Sequence, residues 1–297
     1  MDDPTSITAE AMYDLAETQV DPVADVPVVV PSPSPSPSPP APGDRTLELF
    51  GVRITDVSRG RAVELLLDMI AHRDGHTRSV FFVNAHSLNL VHRDEDYRRV
   101  LAGADYVFAD GTGVRWAARF KGVRLRDNVN GTDLMPELLG APPTAGRRYF
   151  LLGGDEETIR RAAEHARRSF PGWQLAGYHH GYVVDPQSSS EVIRTIHAAR
   201  PDMLLVGMGN PLQEKWITRY RGELGVPLCI GVGGLFDFWA ERFGRAPLWL
   251  RKLGHEWIWR LLQDPKSKAC RYLIGNPLFL WRAFRQCRYS PQGGPSL

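Results

Sequence analysis

Apolar residues in this chain gather into short runs that stop at small polar or glycine clusters. Between those runs they recur at helical spacing. The runs over 80–83, 106–109, 149–152, 203–206 and 228–232 are rich in Val, Leu, Ile, Phe and Tyr. Short apolar runs bounded by Gly or polar residues read as buried strands. Segment 47–54 reads as a short strand or one arm of a hairpin, and 174–178 as a short extended stretch. A helix is expected over 58–71, where Val63, Leu66, Leu67 and Ile70 share one face. Further helices are expected over 87–101, 114–120, 132–139, 155–169, 189–199 and 212–224. This alternation predicts an α/β fold with a mostly parallel sheet flanked by helices on both faces.

The two ends break the rhythm. Ser-Pro repeats between Pro31 and Pro40 favour extended polyproline II and cannot pack a core. Ahead of them, 7–18 has only weak helical character. Beyond about residue 242 no strand-like run remains, and the pattern is helical. The chain therefore divides into a tail over 1–45 read as disordered, an α/β domain over 46–241 and a helical C-terminal appendage over 242–297.

Strand ends matter because open α/β sheets bind ligands at the carboxyl ends of their strands. Five such ends carry ligand-type residues: Asn84 with His86, Asp110, Gly153-Gly154, the stretch Gly207 to Gln213, and Gly233-Gly234. Any one alone reads as an ordinary turn. Together they would line one edge of one sheet, which makes a crevice the better reading. Asp110 follows a wholly apolar run and precedes Gly111 and Gly113. A carboxylate at such an edge suits a general base, and the alternative is a helix N-cap. Gly153-Gly154 resembles a phosphate-binding turn at a helix start, but Asp155 and Glu156 would repel a phosphate, so a ribose or base contact is equally open. Gln213 and Glu214 are expected in the exposed first turn of a helix, as ligand contacts or caps.

Two motifs are set aside. Asp94-Glu95-Asp96 has a D-x-D form that holds metals elsewhere, but Arg93, Arg98 and Arg99 flank it, and a salt-bridged solvated face is the reading. His179-His180 lacks paired ligand spacing and reads as turn histidines.

Composition sharpens the ends more than the middle. The net charge is only +2 across 297 residues, so bulk charge implies no particular partner. From Glu241 to Arg288, however, eleven Lys/Arg stand against three Asp/Glu, and five of the eight Trp lie at or after Trp239. Trp249, Leu253, Trp257 and Leu261 recur every four residues. Arg282, Arg285 and Arg288 recur every three, beside Phe279, Trp281 and Phe284. A basic, aromatic amphipathic helix suits a membrane interface, packing on the domain, or neutralisation of a diphosphate. Cys229, Cys270 and Cys287 are too scattered for a disulfide framework or a zinc site, and a reducing compartment is the default. The first residues lack a basic segment followed by an apolar core, so no secretion signal is expected. No apolar run is long enough to cross a bilayer.

The ordered motifs resemble the WecG/TagA/CpsF glycosyltransferases. They are Val83-Asn84-Ala85-His86, Ala109-Asp110-Gly111-x-Gly113, Asn130-Gly131-Thr132-Asp133, Leu151-Leu152-Gly153-Gly154, Gly207-x-Gly209-x-Pro211-x-Gln213-Glu214-x-Trp216, Gly231-Val232-Gly233-x-x-Phe236-Asp237, Arg245-Ala246-Pro247-x-Trp249 and Glu256-Trp257-x-x-Arg260-Leu261. The resemblance implies a Rossmann-like fold and transfer of a sugar, N-acetylmannosamine or another hexose, from a UDP-sugar to a sugar on undecaprenyl diphosphate. Such transfer serves wall teichoic acid linkage units, enterobacterial common antigen and exopolysaccharides.

It further implies inversion at the anomeric carbon, no required metal, no cofactor and no nucleic acid. It places the enzyme peripherally on the inner face of the bacterial plasma membrane, and it leaves homo-oligomerisation open. Asp110 would be the base. Asn84, His86, Thr112, Asn130 and Asp133 would contact the substrates. Gly153, Gly154 and the Gly209, Gln213 and Glu214 turn would hold the nucleotide. Arg245, Arg260 and Arg271 of the appendage would stabilise the diphosphate. Phe82 stands where several family members have Thr, so the donor sugar is open at that position, with His86 and Thr112 the nearest replacements. The rival readings are a nucleotide-dependent oxidoreductase, which the missing G-x-G-x-x-G argues against, and a non-catalytic lipid-binding module in which Asp110 is a simple cap.

Overall fold

The computed structural model describes residues 44–141, 146–183, 185–247, 249–250 and 256–289. The Pro-rich stretch and the weak helix read ahead of residue 44 lie outside the described residues, as does Leu253.

Eight strands form one sheet: β1 (Arg45–Leu49), β2 (Val52–Asp56), β3 (Arg78–Val83), β4 (Tyr106–Ala109), β5 (Arg148–Gly153), β6 (Gln174–His179), β7 (Met203–Gly207) and β8 (Leu228–Gly231). Their spatial order is β1-β2-β4-β3-β8-β7-β5-β6. Only β1 and β2 pair antiparallel, and the other pairs are parallel. The segment read as a strand or hairpin arm is thus a whole hairpin. It turns at Phe50-Gly51, where both residues have positive φ (55° and 76°), the geometry of a tight hairpin turn.

The central strands are buried on both faces, which is why they appear as continuous apolar runs. Phe81 and Val83 face one helical layer, and Val80 and Phe82 face the other. The helices are α1 (Arg59–Ala71), α2 (Ala85–Leu90), α3 (Glu95–Ala102), α4 (Thr112–Phe120), α5 (Gly131–Gly140), α6 (Glu156–Ser169), α7 (Pro186–Ala199), α8 (Leu212–Leu224), α9 (Leu235–Trp239), α10 (Glu256–Gln263), α11 (Pro265–Ala269) and α12 (Asn276–Tyr289), with a π-helical stretch over Cys270–Gly275. The helix expected over 87–101 is two helices. The first ends at Leu90, and Asp94 starts the second, because its carboxylate accepts from the Tyr97 amide at 2.8 Å and caps α3.

Helices α2, α3, α4, α7, α8 and α12 pack on one face, while α1, α5, α6 and α9 pack on the other. The chain therefore leaves β3 through α2 toward one face and leaves β8 through α9 toward the opposite face. Neighbouring strands whose connections diverge in this way open a crevice at their carboxyl ends. Beyond residue 242 the described chain runs through a loop over 243–247 and is then helical apart from Asp264, with no strand among the described residues. This region is also built into the main body. Phe279 and Ala283 of α12 are fully buried in the core layer of α2 and α4. Gly113 leaves room for that approach: a Cβ there would lie 3.1 Å from the Ala85 Cβ and 3.6 Å from the Phe279 ring. Asn89 of α2 ties the contact by donating to the Gly275 carbonyl at 2.7 Å and accepting from Arg282 at 3.1 Å.

Candidate active site

Two adjoining cavities, of about 730 Å³ and about 340 Å³, occupy the carboxyl edge of the sheet. The larger is floored by glycine-rich ends of β7 and β8, among them Gly207, Gly209, Gly231 and Gly233, together with Phe82 from β3. The smaller opens toward Thr112, Trp116, Asn128, Asn130, Trp257 and Leu280. Asn84, His86, Asp110, Thr132, Arg260, Arg271 and Tyr272 line both. The structure thus brings the ends of β3 and β4 against cations from the C-terminal helices, with Asp110 at the junction.

Asp110 is not the N-cap of α4. That position is Gly111 at φ 90°, which has no side chain to cap with. Gly111 can adopt that conformation where other residues would be strained. Its amide donates to Asn128 Oδ1 at 2.6 Å, which fixes the loop that presents Asp110. The Asp110 backbone amide is tied to the Val83 carbonyl at 2.8 Å. Burial raises the Asp110 carboxyl above the usual aspartate range. The charge of Arg260 opposes that rise, Glu256 adds to it, and a hydrogen bond from Asn84 opposes it again. A half-buried carboxylate balanced by guanidinium groups has the character a general base needs.

Asn84 serves two structures at once. Its Oδ1 caps α2 by accepting from the His86 and Ser87 amides at 3.0 and 3.2 Å, and it accepts from Arg271 at 3.4 Å. Its amide nitrogen is the group left to meet Asp110. His86 is held neutral: burial lowers its pKa well below the usual histidine value, and Arg271, Arg93 and Lys268 push it further down. Arg260 pairs with Glu256 at 3.2 Å and lies over the Phe238 ring at 4.9 Å. Arg271 and Tyr272 sit in the π-helical stretch, whose wider turn is often found at functional sites.

Other expected residues lie elsewhere. Gly153 and Gly154 line neither cavity. A Cβ on Gly153 would lie 2.2 Å from the Gly207 carbonyl oxygen, and the Gly154 amide donates to that same oxygen at 3.1 Å. Their smallness lets β5 pack against β7. Asp133 closes the first turn of α5 with Asn130 and holds Arg245 at 2.6 Å, so Asp133 and Arg245 form a latch beside the cavities. Glu214 and Gln213, expected on an exposed turn, are buried. Gln213 still lines the larger cavity, whereas Glu214 lies behind it. The D-x-D residues are engaged as expected: Asp94 with Lys215, Glu95 with Arg98, Asp96 with Arg99. The His179 ring contacts the His180 carbonyl at 2.9 Å, a local turn contact.

Several lining residues were not anticipated. Asp237, Phe238, Lys268 and Tyr272 reach the larger cavity. Burial raises the Asp237 carboxyl, with Arg242 and Lys268 opposing. Burial lowers the Lys268 ammonium, with Arg271 adding to it. For Asp237 the signal was its place just after the Gly233-Gly234 strand end. For Lys268 and Tyr272 only the basic character of the C-terminal region hinted at a role.

A carboxylate and cationic side chains converging over glycine-rich strand ends define a group-transfer site suited to a phosphate-activated donor. Comparison with known proteins gives the class a family. The sequence model for the glycosyl transferase WecG/TagA/CpsF family matches residues 47–293, and the chain belongs to that family.

Three relatives carry the name N-acetylglucosaminyldiphosphoundecaprenol N-acetyl-beta-D-mannosaminyltransferase. The Bacillus subtilis (strain 168) protein is 36% identical over 173 residues, 58% of this chain and 66% of that relative. The Bacillus spizizenii (strain ATCC 23059 / NRRL B-14472 / W23) protein is 36% identical over 194 residues, 65% and 74%. The Staphylococcus aureus (strain MW2) protein is 29% identical over 236 residues, 80% and 91%. The chain is thus a glycosyltransferase, and its homologues are N-acetylmannosaminyltransferases. Among the described residues no helix is long and apolar enough to cross a membrane.

Proposed function

We propose that this enzyme moves N-acetylmannosamine, or a closely related hexose, from a UDP-sugar to N-acetylglucosamine on undecaprenyl diphosphate, with inversion. The observation that carries this reading is the position of Asp110 at the junction of the two cavities, with Arg260 and Arg271 shared by both. The larger cavity takes the nucleotide-sugar, whose backbone approaches the glycines of β7 and β8. The smaller takes the acceptor sugar.

In this mechanism Asp110 removes the proton from an acceptor hydroxyl. The oxygen attacks the anomeric carbon from the face opposite the diphosphate. The bond from that carbon to the diphosphate oxygen breaks, and its electron pair leaves with UDP. Arg260, Arg271 and Lys268 offset the charge that develops there, so the mechanism requires no metal. Phe82 packs over Gly131, where a Cβ would lie 3.3 Å from its ring, and it gives the donor cavity an apolar wall where a hydroxyl would otherwise select the sugar.

The exposed Trp249, Leu262, Leu273, Trp281 and Phe284, interspersed with Arg285 and Arg288, suit contact with the membrane that holds the acceptor lipid. Arg285 stacks on Trp281 and Arg288 on Phe284, with guanidinium-to-ring distances of 4.7 and 4.8 Å.

A screen of UDP-sugars against a short-chain prenyl-diphosphate N-acetylglucosamine tests the reading. UDP-N-acetylmannosamine should give a disaccharide with inverted anomeric configuration. A product of retained configuration, or turnover with no sugar donor at all, would contradict it.

A further inference from the structure

Behind the larger cavity lies a buried polar cluster with no counterpart in the mechanism above. Glu214 is fully buried in the first turn of α8. Its Oε1 accepts from two side-chain amides, Asn210 Nδ2 at 2.6 Å and Gln213 Nε2 at 2.7 Å. Both amides also line the cavity. The Gln213 oxygen accepts from the Gly233 amide at 2.9 Å, joining the loop after β7 to the loop after β8. Asn210 Nδ2 also reaches the Tyr97 hydroxyl at 3.5 Å. With both of its N–H groups directed inward, the Asn210 side chain has its oxygen left for the cavity.

We propose that Glu214 is a positioning residue that orients Asn210 and Gln213, so that the Asn210 amide oxygen accepts a hydrogen bond from an N–H or O–H of the bound nucleotide. The proposal rests on the reading of this cavity as the nucleotide-sugar site. A carboxyl and a carboxamide have nearly the same shape, and both offer an oxygen to two N–H donors. The cluster therefore needs an acceptor at Glu214 rather than a charge.

The surroundings fit a neutral acid. Burial pushes the Glu214 carboxyl up to about 8, only partly offset by the hydrogen bonds from Gln213 and Asn210. The titratable group facing it from α3 is Tyr97, itself raised well above the usual tyrosine value by burial and then by Glu214. The nearby Lys215 is paired with Asp94 at 2.5 Å.

The test is calorimetric binding of UDP to the full chain at pH 7 and pH 9, with melting curves to verify folding. Glu214→Ala should weaken UDP binding about tenfold, and Glu214→Gln should restore most of it. Ionised Glu214 would still accept both bonds but would place a negative charge behind the cavity that holds the UDP diphosphate, so wild type should bind less tightly at pH 9 than at pH 7, while Glu214→Gln should hold its affinity across that range. Asn210→Ala should lose about as much as Glu214→Ala, and it keeps the test open if Glu214→Ala does not fold. Undiminished binding in Asn210→Ala, or Glu214→Gln binding as weakly as Glu214→Ala, would overturn the proposal. Wild type that is folded but fails to bind UDP at either pH would instead overturn the reading of the cavity as the donor site.

Discussion

Two carboxyl groups stand at the larger cavity, half-buried Asp110 on its lining and buried Glu214 behind it, and the proposed mechanism gives them opposite tasks. Asp110 and Glu214 are both raised by burial. Around Asp110 the opposing influences include Arg260 and Arg271, and the cavity is open to it. Around Glu214 they are hydrogen bonds from Asn210 and Gln213 and from its own backbone. Cations make the charged form of Asp110 accessible for proton removal. Amides satisfy an oxygen without supplying charge, so Glu214 keeps its proton. In the proposed mechanism the same residue chemistry thus separates into a reacting group and a scaffold according to whether cations face it.

The sharpest break of that contrast is Asp110→Asn. It should lower kcat by about 10³-fold or more, in line with loss of a general base, while UDP binding persists. Turnover close to wild type would remove the base role. Next in size is Arg271→Ala, which removes a cation shared by both cavities. A loss of about 10²-fold in kcat/KM is expected, and a steady-state assay with UDP-sugar and prenyl-linked acceptor reads it.

Smaller still is a stability effect at Glu214. Its folded value of about 8 stands above the ordinary glutamate value near 4.5, so the native state holds a proton that the unfolded chain releases. Stability is therefore greatest below about pH 4.5 in this respect and falls as pH rises toward 8. Glu214→Gln escapes that loss and should be more stable than wild type at pH 7.5 by on the order of 1–3 kcal/mol, read as a higher melting temperature. Equal melting temperatures would mean that Glu214 is charged in the native protein. The smallest effect should come from a chelator: EDTA in the transfer assay should leave the rate within about twofold, because arginines meet the leaving charge.

The sheet was legible because its strands are buried on both faces. Double burial leaves unbroken apolar runs, and their polar ends marked Asn84, His86 and Asp110 without any tertiary information. Other features depended on contacts between distant segments. Gly153 looks like a phosphate turn locally, and only the neighbouring strand shows that it makes room for the Gly207 carbonyl. Gln213-Glu214 reads as an exposed first turn because charged residues favour solvent. Its burial depends on the adjoining Asn210 and on Tyr97 and Gly233, which come from two other parts of the chain. Arg245 is basic and lies close to Arg260 in sequence, yet it is spent on Asp133 across 112 positions. The π-helical stretch that carries Arg271 and Tyr272, Cys270–Gly275, follows from no periodic pattern in its own residues.

In the proposed mechanism cationic neighbours set Asp110 as the base, and the pH dependence of kcat/KM measures that directly. Activity should fall as pH drops through the Asp110 value, with the acidic limb above the range of an ordinary aspartate. Replacing Arg260 with Ala removes the first of the influences that hold that value down, so the limb should move to higher pH in Arg260→Ala. A limb at the ordinary aspartate position, or one that stays in place in that variant, would contradict the account.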